Sequence, residues 1–282
     1  MSTNPESRIP NPGPIAFIGG GNMARSLIGA LIRGGAHARS IAVAEPDEAA
    51  RASLAHEFGI ATHAANADAV VGAQTIILAV KPQVMRDVCA EIATALGEST
   101  PLVITIAAGI RLDQMQTWLG AAMPIVRCMP NTPALIGAGA TGLIANSQTN
   151  AEQKQRAEAI LGAAGRTAWI EREELMDTVT ALSGSGPAYF FLLVEALEDA
   201  AVAQGLPRET ARMLASQTCL GAGRMLVESR EAPGTLRERV TSPGGTTAAA
   251  LDAFGAGGLR ELVAKAVDAA TRRGQELSAR DP

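Results

Sequence analysis

The start of the chain places a short apolar run, a glycine turn and a helical pattern in direct succession. The run IAFI at residues 15–18 leads into GGGNMA, after which apolar residues recur at helical spacing. Gly19 permits a tight turn, Gly21 lets the backbone approach a pyrophosphate, and the small Ala24 lets the helix pack closely on the strand. This succession favours a dinucleotide-binding unit over a purely structural glycine turn.

Alternation of strand and helix continues through the first part of the chain. Near-continuous apolar runs, which are typical of strands covered on both faces of a parallel sheet, occur at residues 15–18, 40–44, 75–80, 102–107 and 125–129, with a short one at 167–170. From Glu171 onward the pattern of every segment predicts a helix. The sequence therefore predicts an α/β fold with an N-terminal Rossmann-type doubly wound sheet, followed by an all-helical C-terminal domain.

The predicted organisation has three parts. Residues 1–14 are rich in Pro, Asn and Ser and lack the apolar stretch of a signal peptide, so we expect a flexible lead there. The sheet domain is expected at residues 15–170 and the helical domain at residues 171–282, both of ordinary domain size.

Composition points to a small-molecule partner. The 282 residues carry a net charge of −4, and the aromatic residues are five Phe, two Trp and one Tyr. No basic run is present, so neither nucleic acid nor a membrane surface is the expected partner. The three cysteines are far apart and lack metal-ligand spacing, which favours a reduced, cytoplasmic protein without a metal site.

An acidic residue ends the second apolar run. Glu45 lies about 20 residues beyond the glycine turn, where a carboxylate accepts hydrogen bonds from the adenosine ribose and repels a 2′-phosphate. Alternatively, it is an acid at the start of the helix that Pro46 opens, where negative charge is favourable. The residues leave both interpretations open.

Two later strand ends carry polar residues. Lys81 and Pro82 follow one apolar run, and Asn131 and Thr132 follow another within the segment PNTP. The carboxyl ends of parallel strands form the edge at which open α/β sheets bind ligands, so we expect these residues at that edge. The alternatives are a solvated lysine and a turn pair.

The stretch TSPGGTT at residues 241–247 precedes an alanine-rich helical segment. Glycines can turn backbone amides inward, and a helix N-terminus presents unpaired donors, so the stretch suits a small carboxylate. The alternative is that Thr246 or Thr247 caps the helix. The absence of any Ser-His-Asp, paired-carboxylate or metal arrangement elsewhere favours the anion site.

The segment 188–203 is apolar on nearly every face of its predicted helix. A helix of this kind in a small domain indicates that a second subunit covers one side. We therefore expect a homodimer formed through the helical domain.

Five motifs taken together resemble the pyrroline-5-carboxylate reductase family. They are IAFIGGGNMA at 15–24, ILAVKP at 77–82, MPNTP at 129–133, SGSGPAY at 183–189 and VTSPGGTT at 240–247. The likeness implies reduction of the C=N bond of 1-pyrroline-5-carboxylate by NAD(P)H to give L-proline, the last step of proline synthesis. It also implies that the helical domain binds substrate and interlocks into dimers, often assembled further into decamers.

The resemblance assigns the parts of the last motif. Ser242 and the backbone amides of Gly245 and Thr246 are expected to hold the substrate carboxylate. The Thr247 hydroxyl is expected near the ring nitrogen, where it aids protonation, and Val240 is expected to line the substrate site.

The resemblance also implies a set of dinucleotide contacts, with Asn66 near the adenosine ribose. The expected residues are Gly19, Gly21, Asn22, Met23, Asn66, Lys81, Pro82 and Asn131. The family favours NADPH with NADH as an alternative, whereas an acid at Glu45 ordinarily favours NADH.

Two other functions compete with this hypothesis. Reductases of other small substrates usually use a lysine of the helical domain as acid or base, but Lys265 is the only lysine from Glu171 onward. A regulatory protein that binds NAD(P) without turnover is the other alternative. An assay with 1-pyrroline-5-carboxylate separates all three.

Overall fold

The computed structural model describes residues 13–279, which build an eight-stranded sheet and twelve α-helices. The sheet order is β3-β2-β1-β4-β5-β6-β7-β8, and within it only β6 and β7 pair antiparallel. The strands are β1 (Ile15–Ile18), β2 (Ile41–Ala44), β3 (Ala61–His63), β4 (Thr75–Leu78), β5 (Leu102–Thr105), β6 (Ile125–Met129), β7 (Gly139–Ala145) and β8 (Gly165–Trp169).

Helices alternate with the strands in the first part of the chain and fill the second. Those of the first part are α1 (Asn22–Arg33), α2 (Glu48–Phe58), α3 (Asn66–Val70), α4 (Met85–Leu96), α5 (Leu112–Leu119), α6 (Ala151–Gly162) and α7 (Met176–Val179). Those of the second are α8 (Gly186–Ala203), α9 (Arg208–Glu228), α10 (Pro233–Arg239), α11 (Thr246–Ala256) and α12 (Leu259–Ser278). The predicted α/β class with a helical C-terminal part is confirmed.

The central strands are buried on both faces. Every residue of β1, β4 and β5 is buried. Side chains of β1 alternate between two core clusters, with Ile15 and Phe17 packing among residues of α1 and α6, and Ala16 and Ile18 among residues of α4 and α5. The apolar runs of the sequence therefore become strands of a doubly covered sheet.

Strand order reverses at β1. The chain proceeds outward from β1 through β2 to β3, then returns to place β4 on the other side of β1. Such a reversal opens a crevice at the carboxyl ends of the two central strands, where open α/β sheets bind their ligands. This crevice lies at the end of β1 that leads into the glycine turn.

Several predicted boundaries differ from the structure. Strands β4 and β5 end two residues earlier than predicted, and β3 was not predicted because it is short and none of its three residues is buried. Residues 1–12 of the expected flexible lead lie outside the described residues. Pro14 is part of the fold, since its carbonyl accepts hydrogen bonds from the amides of Gln74 and Thr75.

The described chain divides into two compact units. One contains the chain up to Gly184 together with the segment from Ala270, and the other contains Ser185–Ala269. The division therefore falls later than the boundary expected at residue 170. The reason is that Met176 lies in a core cluster against the sheet, with Val179 packed beside it.

The unit 185–269 has almost no core of its own. All of its residues are described, and Gly186, Glu198 and Ala211 are the three that are buried. Helices α8 and α9 are joined by the Glu198 carboxylate, which accepts hydrogen bonds from Arg212 at 3.0 Å and Arg208 at 2.9 Å. The hydrogen bond from Arg212 holds the pKa of Glu198 below its ordinary value.

A buried ion network ties the sheet to the segments that pack on it. Arg127 on β6 donates to the Glu173 carboxylate at 2.8 Å, and the same oxygen accepts from the amide of Leu112 at 2.8 Å. Asp177 lies 3.9 Å from Arg127 and accepts from the Ser278 hydroxyl at 3.1 Å. The Arg127 guanidinium thus forms ion pairs with two largely buried carboxylates.

We expect Arg127→Met to destabilise the protein strongly. The substitution keeps the apolar stem but leaves Glu173 and Asp177 without their buried cation, a loss of about 3–5 kcal/mol. Chemical denaturation followed by circular dichroism measures it. Arg156→Met is the matched control, since its partner Glu152 is 78% exposed and such pairs contribute about 0.5 kcal/mol or less. Equal shifts in the two variants would show that the network contributes little.

Candidate functional site

The glycine turn after β1 is held very close to the end of β4. Gly19 has φ +95°, and a Cβ there would lie 2.8 Å from the carbonyl oxygen of Ala79. Its amide donates to the carbonyl of Ala44 at 2.8 Å. A side chain at this position would be strained and would clash, so glycine is required for the turn.

The next part of the turn presents backbone donors to an open space. Gly21 is the N-cap of α1, without a side-chain capping bond, and nothing lies within 4 Å of where its Cβ would be. Helical bonding begins at the amide of Arg25, so the amides of Asn22, Met23 and Ala24 have no intrahelical acceptor. This open cradle of amides fits a pyrophosphate.

Glu45 lies at the end of β2 and turns its carboxylate toward the glycine turn. One oxygen accepts from the amide of Gly20 at 2.9 Å and the other from the amide of Asp47 at 3.2 Å. The cap of α2 is Asp47, which accepts from the amide of Ala50. Glu45 therefore lies outside α2, beside the predicted ribose position, although it also satisfies an amide that precedes the helix.

Arg51 contacts the backbone of Glu45, although the sequence did not mark it as a site residue. Its Nη1 donates to the carbonyls of Glu45 at 2.8 Å and Pro46 at 2.7 Å. A cation therefore lies one helical turn from the end of β2. Its position in a regular helical segment gave no sequence signal.

Other predicted contacts follow neighbouring strands at the same edge. Lys81 follows β4, is exposed, and precedes a short helical turn that begins at Pro82. Asn66 begins α3 shortly after β3, and its Nδ2 donates to the Glu91 carboxylate at 2.7 Å. The fold thus brings the turn, Glu45, Asn66 and Lys81 to one edge of the sheet.

Asn131 follows β6, and both ends of its side-chain amide bond to the backbone. Its Nδ2 donates to the carbonyl of Ser183 at 2.9 Å, and its Oδ1 accepts from the amide of Ala140 at 2.9 Å. Because Asn131 is also buried, its side chain holds this edge of the sheet together. Its predicted contact with a dinucleotide stays a prediction.

The stretch at residues 240–247 lies in the other unit and forms a tight turn. The amide of Gly245 donates to the carbonyl of Ser242 at 3.0 Å, and Gly244 has φ +67°. Pro243 and Gly244 are the residues that the two central positions of a type II turn prefer. A Cβ on Gly245 would lie 2.5 Å from the Ser242 hydroxyl, so a side chain at this position would displace that hydroxyl.

The turn delivers the chain directly into α11. Gly245 is the N-cap, without a side-chain capping bond. The interpretation of Thr246 or Thr247 as the cap is therefore wrong, because both lie within the first helical turn. The first helical bond is donated by Ala249, which leaves the amides of Thr246, Thr247 and Ala248 without an intrahelical acceptor.

The described residues offer no competing reactive centre. Among them no group of His, Cys, Asp and Glu could hold a metal ion. Burial raises the pKa of the Cys128 thiol well above its ordinary value, so this residue near the sheet edge is an inert part of the core. Within the same part of the chain, no helix is long and apolar enough to cross a membrane.

The two units combine an amide-lined dinucleotide cradle with a second amide-lined stretch suited to a small anion. Such features are those expected of a nicotinamide-dependent oxidoreductase, in which hydride comes from the dinucleotide and the protein orients the acceptor.

A family model described as pyrroline-5-carboxylate reductase dimerisation matches residues 173–277, and one described as NADP oxidoreductase, coenzyme F420-dependent, matches residues 14–109. The pyrroline-5-carboxylate reductase of Pseudomonas aeruginosa is 50% identical over 264 residues, covering 94% of this chain and 96% of that protein. The chain belongs to the pyrroline-5-carboxylate reductase family, as its motifs predicted.

Solved structures agree with this assignment. The structure of a pyrroline-5-carboxylate reductase from Coxiella burnetii is 44% identical, with a TM-score of 0.93 and coverage of 96% of this chain and 100% of that one. The Plasmodium falciparum pyrroline carboxylate reductase, crystallised with NADP bound, is 28% identical, with a TM-score of 0.82 and coverage of 94% and 98%. Both share the fold along nearly the whole chain.

Proposed function

We propose that this chain reduces 1-pyrroline-5-carboxylate to L-proline with hydride from NAD(P)H, the final step of proline biosynthesis. The observation that carries the proposal is the stretch 240–247, whose turn ends in a glycine-capped helix with unpaired amides. Such a terminus recognises a carboxylate without a charged side chain. Membership of the family supplies the chemical identity of the substrate.

The substrate carboxylate binds at the turn. Ser242 contributes its hydroxyl and Thr246 its backbone amide, while the Gly245 amide reaches the carboxylate only by sharing the hydrogen bond that it makes to the Ser242 carbonyl. Val240, which is 61% exposed within this chain, lines the apolar side of the site. The positive end of the α11 dipole adds to the attraction for the anion.

Thr247 acts at the ring nitrogen. Its hydroxyl is too weak an acid to protonate most groups outright, so its role is to orient the ring nitrogen. It donates to the lone pair of the neutral imine, and its oxygen accepts from the N–H once solvent has supplied the proton. Thr247 is half-buried at the second position of α11, which limits competition from water. No histidine is needed in this arrangement.

The dinucleotide binds at the carboxyl edge of the sheet in residues 15–170, where it supplies hydride when bound. The amides of Asn22 and Met23, with Gly19 and Gly21 shaping the turn, hold the pyrophosphate. The remaining contacts come from Glu45, Asn66, Lys81, Pro82 and Asn131. Residues 171–282 form the substrate-binding and dimerisation module.

NADPH is the preferred donor, with NADH as an alternative, and Glu45 limits the preference. The Glu45 carboxylate is fixed by two amides close to the expected ribose position, where it would repel a 2′-phosphate. The adjacent Arg51 guanidinium offsets part of that repulsion. The Plasmodium relative with bound NADP supports the use of the phosphorylated cofactor.

The working form is a cytoplasmic homodimer, with decamers as the higher assembly. Helix α8 exposes Phe190, Phe191 and Leu192 by 60%, 68% and 65%. A chain that leaves such side chains uncovered, in a unit with almost no buried residues, needs a partner surface. The matched dimerisation model covers this helix.

We expect Thr247→Ala to lower kcat/KM for 1-pyrroline-5-carboxylate by about ten- to a hundredfold without abolishing turnover. A loss of this size corresponds to the free energy of one hydrogen bond to a charged group. Spectrophotometric NADPH oxidation measures it. Thr235→Ala, an exposed threonine in the first turns of α10, is the control and should leave the rate unchanged. Wild-type kinetics in Thr247→Ala would exclude the assigned role, and an inactive but cofactor-binding wild-type protein would exclude the proposed reaction.

We expect Glu45→Ser to raise the ratio of kcat/KM for NADPH to that for NADH by about tenfold, because it removes a negative charge from beside the 2′-phosphate. Steady-state kinetics with both donors measures the ratio. Glu48→Gln removes an exposed acid from the first turn of α2 and serves as the control. An unchanged ratio in Glu45→Ser would show that another residue selects the cofactor.

We expect Leu192→Asp to raise the dimer dissociation constant by about a hundredfold or more, since an unpaired carboxylate in an apolar interface costs several kcal/mol. Sedimentation across a dilution series measures the effect. Val71→Asp is the control, because Val71 is 81% exposed in the unit that carries the sheet. If the two variants dissociate alike, α8 does not form the interface.

A further inference from the structure

Arg230, between α9 and α10, adopts a conformation that its residue type disfavours. Its φ is +60°, and among the described residues it is the only one other than glycine in the left-handed region. A side chain with a Cβ enters this region at a cost. The conformation therefore depends on contacts made by neighbouring residues.

The next residue, Glu231, supplies such contacts. Its Oε1 accepts from Arg239 Nη1 at 2.6 Å, and its amide donates to the Ser229 hydroxyl at 3.3 Å. Its Oε2 is buried and has no hydrogen-bond partner among the described residues. Buried polar atoms are nearly always paired, so an unpaired carboxylate oxygen beside a left-handed residue marks a segment held against local preference.

Arg239 connects this segment to the substrate stretch. It is the last residue of α10 and directly precedes Val240. The start of the stretch is held there too, because the Thr241 amide donates to the carbonyl of Glu238 and the Thr241 hydroxyl donates to the carbonyl of Arg237 at 2.6 Å. The Glu231–Arg239 ion pair thus joins the segment just before α10 to the last residue of that helix.

Apolar packing within the chain does not fix the same stretch. No residue of α10 or α11 is buried, and both helices lie wholly within the described residues. Within a single chain, polar contacts therefore set where the turn at Ser242 and the N-terminus of α11 lie. Among these contacts, the ion pair of Glu231 and Arg239 has the longest reach along the chain.

We propose that Glu231 is a positioning residue for substrate binding. Through Arg239 it fixes the entry to residues 240–247, so that Ser242 and the amides of α11 are aligned for the substrate carboxylate. The inference rests on the proposed function of that stretch. It assigns Glu231 no contact with substrate and no part in hydride or proton transfer.

Glu231→Gln tests the proposal, because it keeps the side-chain shape and removes the charge that holds Arg239. We expect KM for 1-pyrroline-5-carboxylate to rise about fivefold, with kcat changed less than about twofold and KM for NADPH unchanged. Arg239→Gln should likewise raise KM for 1-pyrroline-5-carboxylate while leaving kcat and KM for NADPH nearly unchanged. The double variant should be no worse than either single one, because both remove one interaction.

A conservative variant distinguishes a positioning role of the ion pair from general destabilisation of the protein. Arg239→Lys keeps the charge and should retain a KM closer to wild type than Arg239→Gln. Glu152→Gln, which breaks the exposed pair with Arg156 in the other unit, is the matched control. Wild-type KM in Glu231→Gln, or an equal rise in KM for both substrates, would overturn the proposal.

Amide hydrogen exchange gives a readout that does not depend on turnover. Exchange across residues 240–247 should be faster in Glu231→Gln than in wild type and in Glu152→Gln. Failure of the proposed function would appear as an inactive wild-type protein in which this difference persists. Failure of the positioning role would appear as active wild type with identical exchange in all three proteins.

Discussion

The passage from β1 to α1 at Gly19 is the constraint on which the sheet edge depends. The left-handed backbone and the 2.8 Å approach to the Ala79 carbonyl exclude any side chain there. This approach lets β1 and β4 end side by side, so the N-terminus of α1 points over the crevice where strand order reverses. Glu45 then reaches the amide of Gly20 from the neighbouring strand. A substitution at Gly19 would therefore disturb the turn, the crevice and the acidic residue together.

The same physical device occurs at the start of α1 and at the start of α11. Each helix is capped by a glycine, Gly21 or Gly245, that offers no side-chain bond to the first amides. A serine or threonine cap would satisfy one of those donors and so weaken its hold on a ligand. Backbone amides do not titrate near neutral pH. The anion binding proposed at both places therefore needs no titrating side chain, which agrees with the proposal that solvent supplies the proton.

What the sequence could predict depended on how local the determining interactions are. Strands β1, β4 and β5 were predictable because burial on both faces leaves a continuous apolar run. Strand β3 has no such run, and the sequence leaves a threonine cap open as an alternative to Gly245 because both residue types favour that position. The engagement of Asn131 by Ser183 spans 52 residues, and the pairing of Glu231 with Arg239 follows a left-handed Arg230, a conformation that its residue type does not predict. Neither is visible in a residue pattern.

Folding and assembly of the unit 185–269 must be coupled in the proposed homodimer. Ordering each residue costs on the order of 1–2 kcal/mol, and three buried residues cannot offset that for a whole helical unit. The Glu198 cluster sets how α8 and α9 pack, but its arginines are largely exposed and add little stability. Most of the apolar burial must therefore come from the partner chain. Since residues 240–247 belong to this unit, the alignment proposed for the Glu231–Arg239 pair takes place within the proposed homodimer.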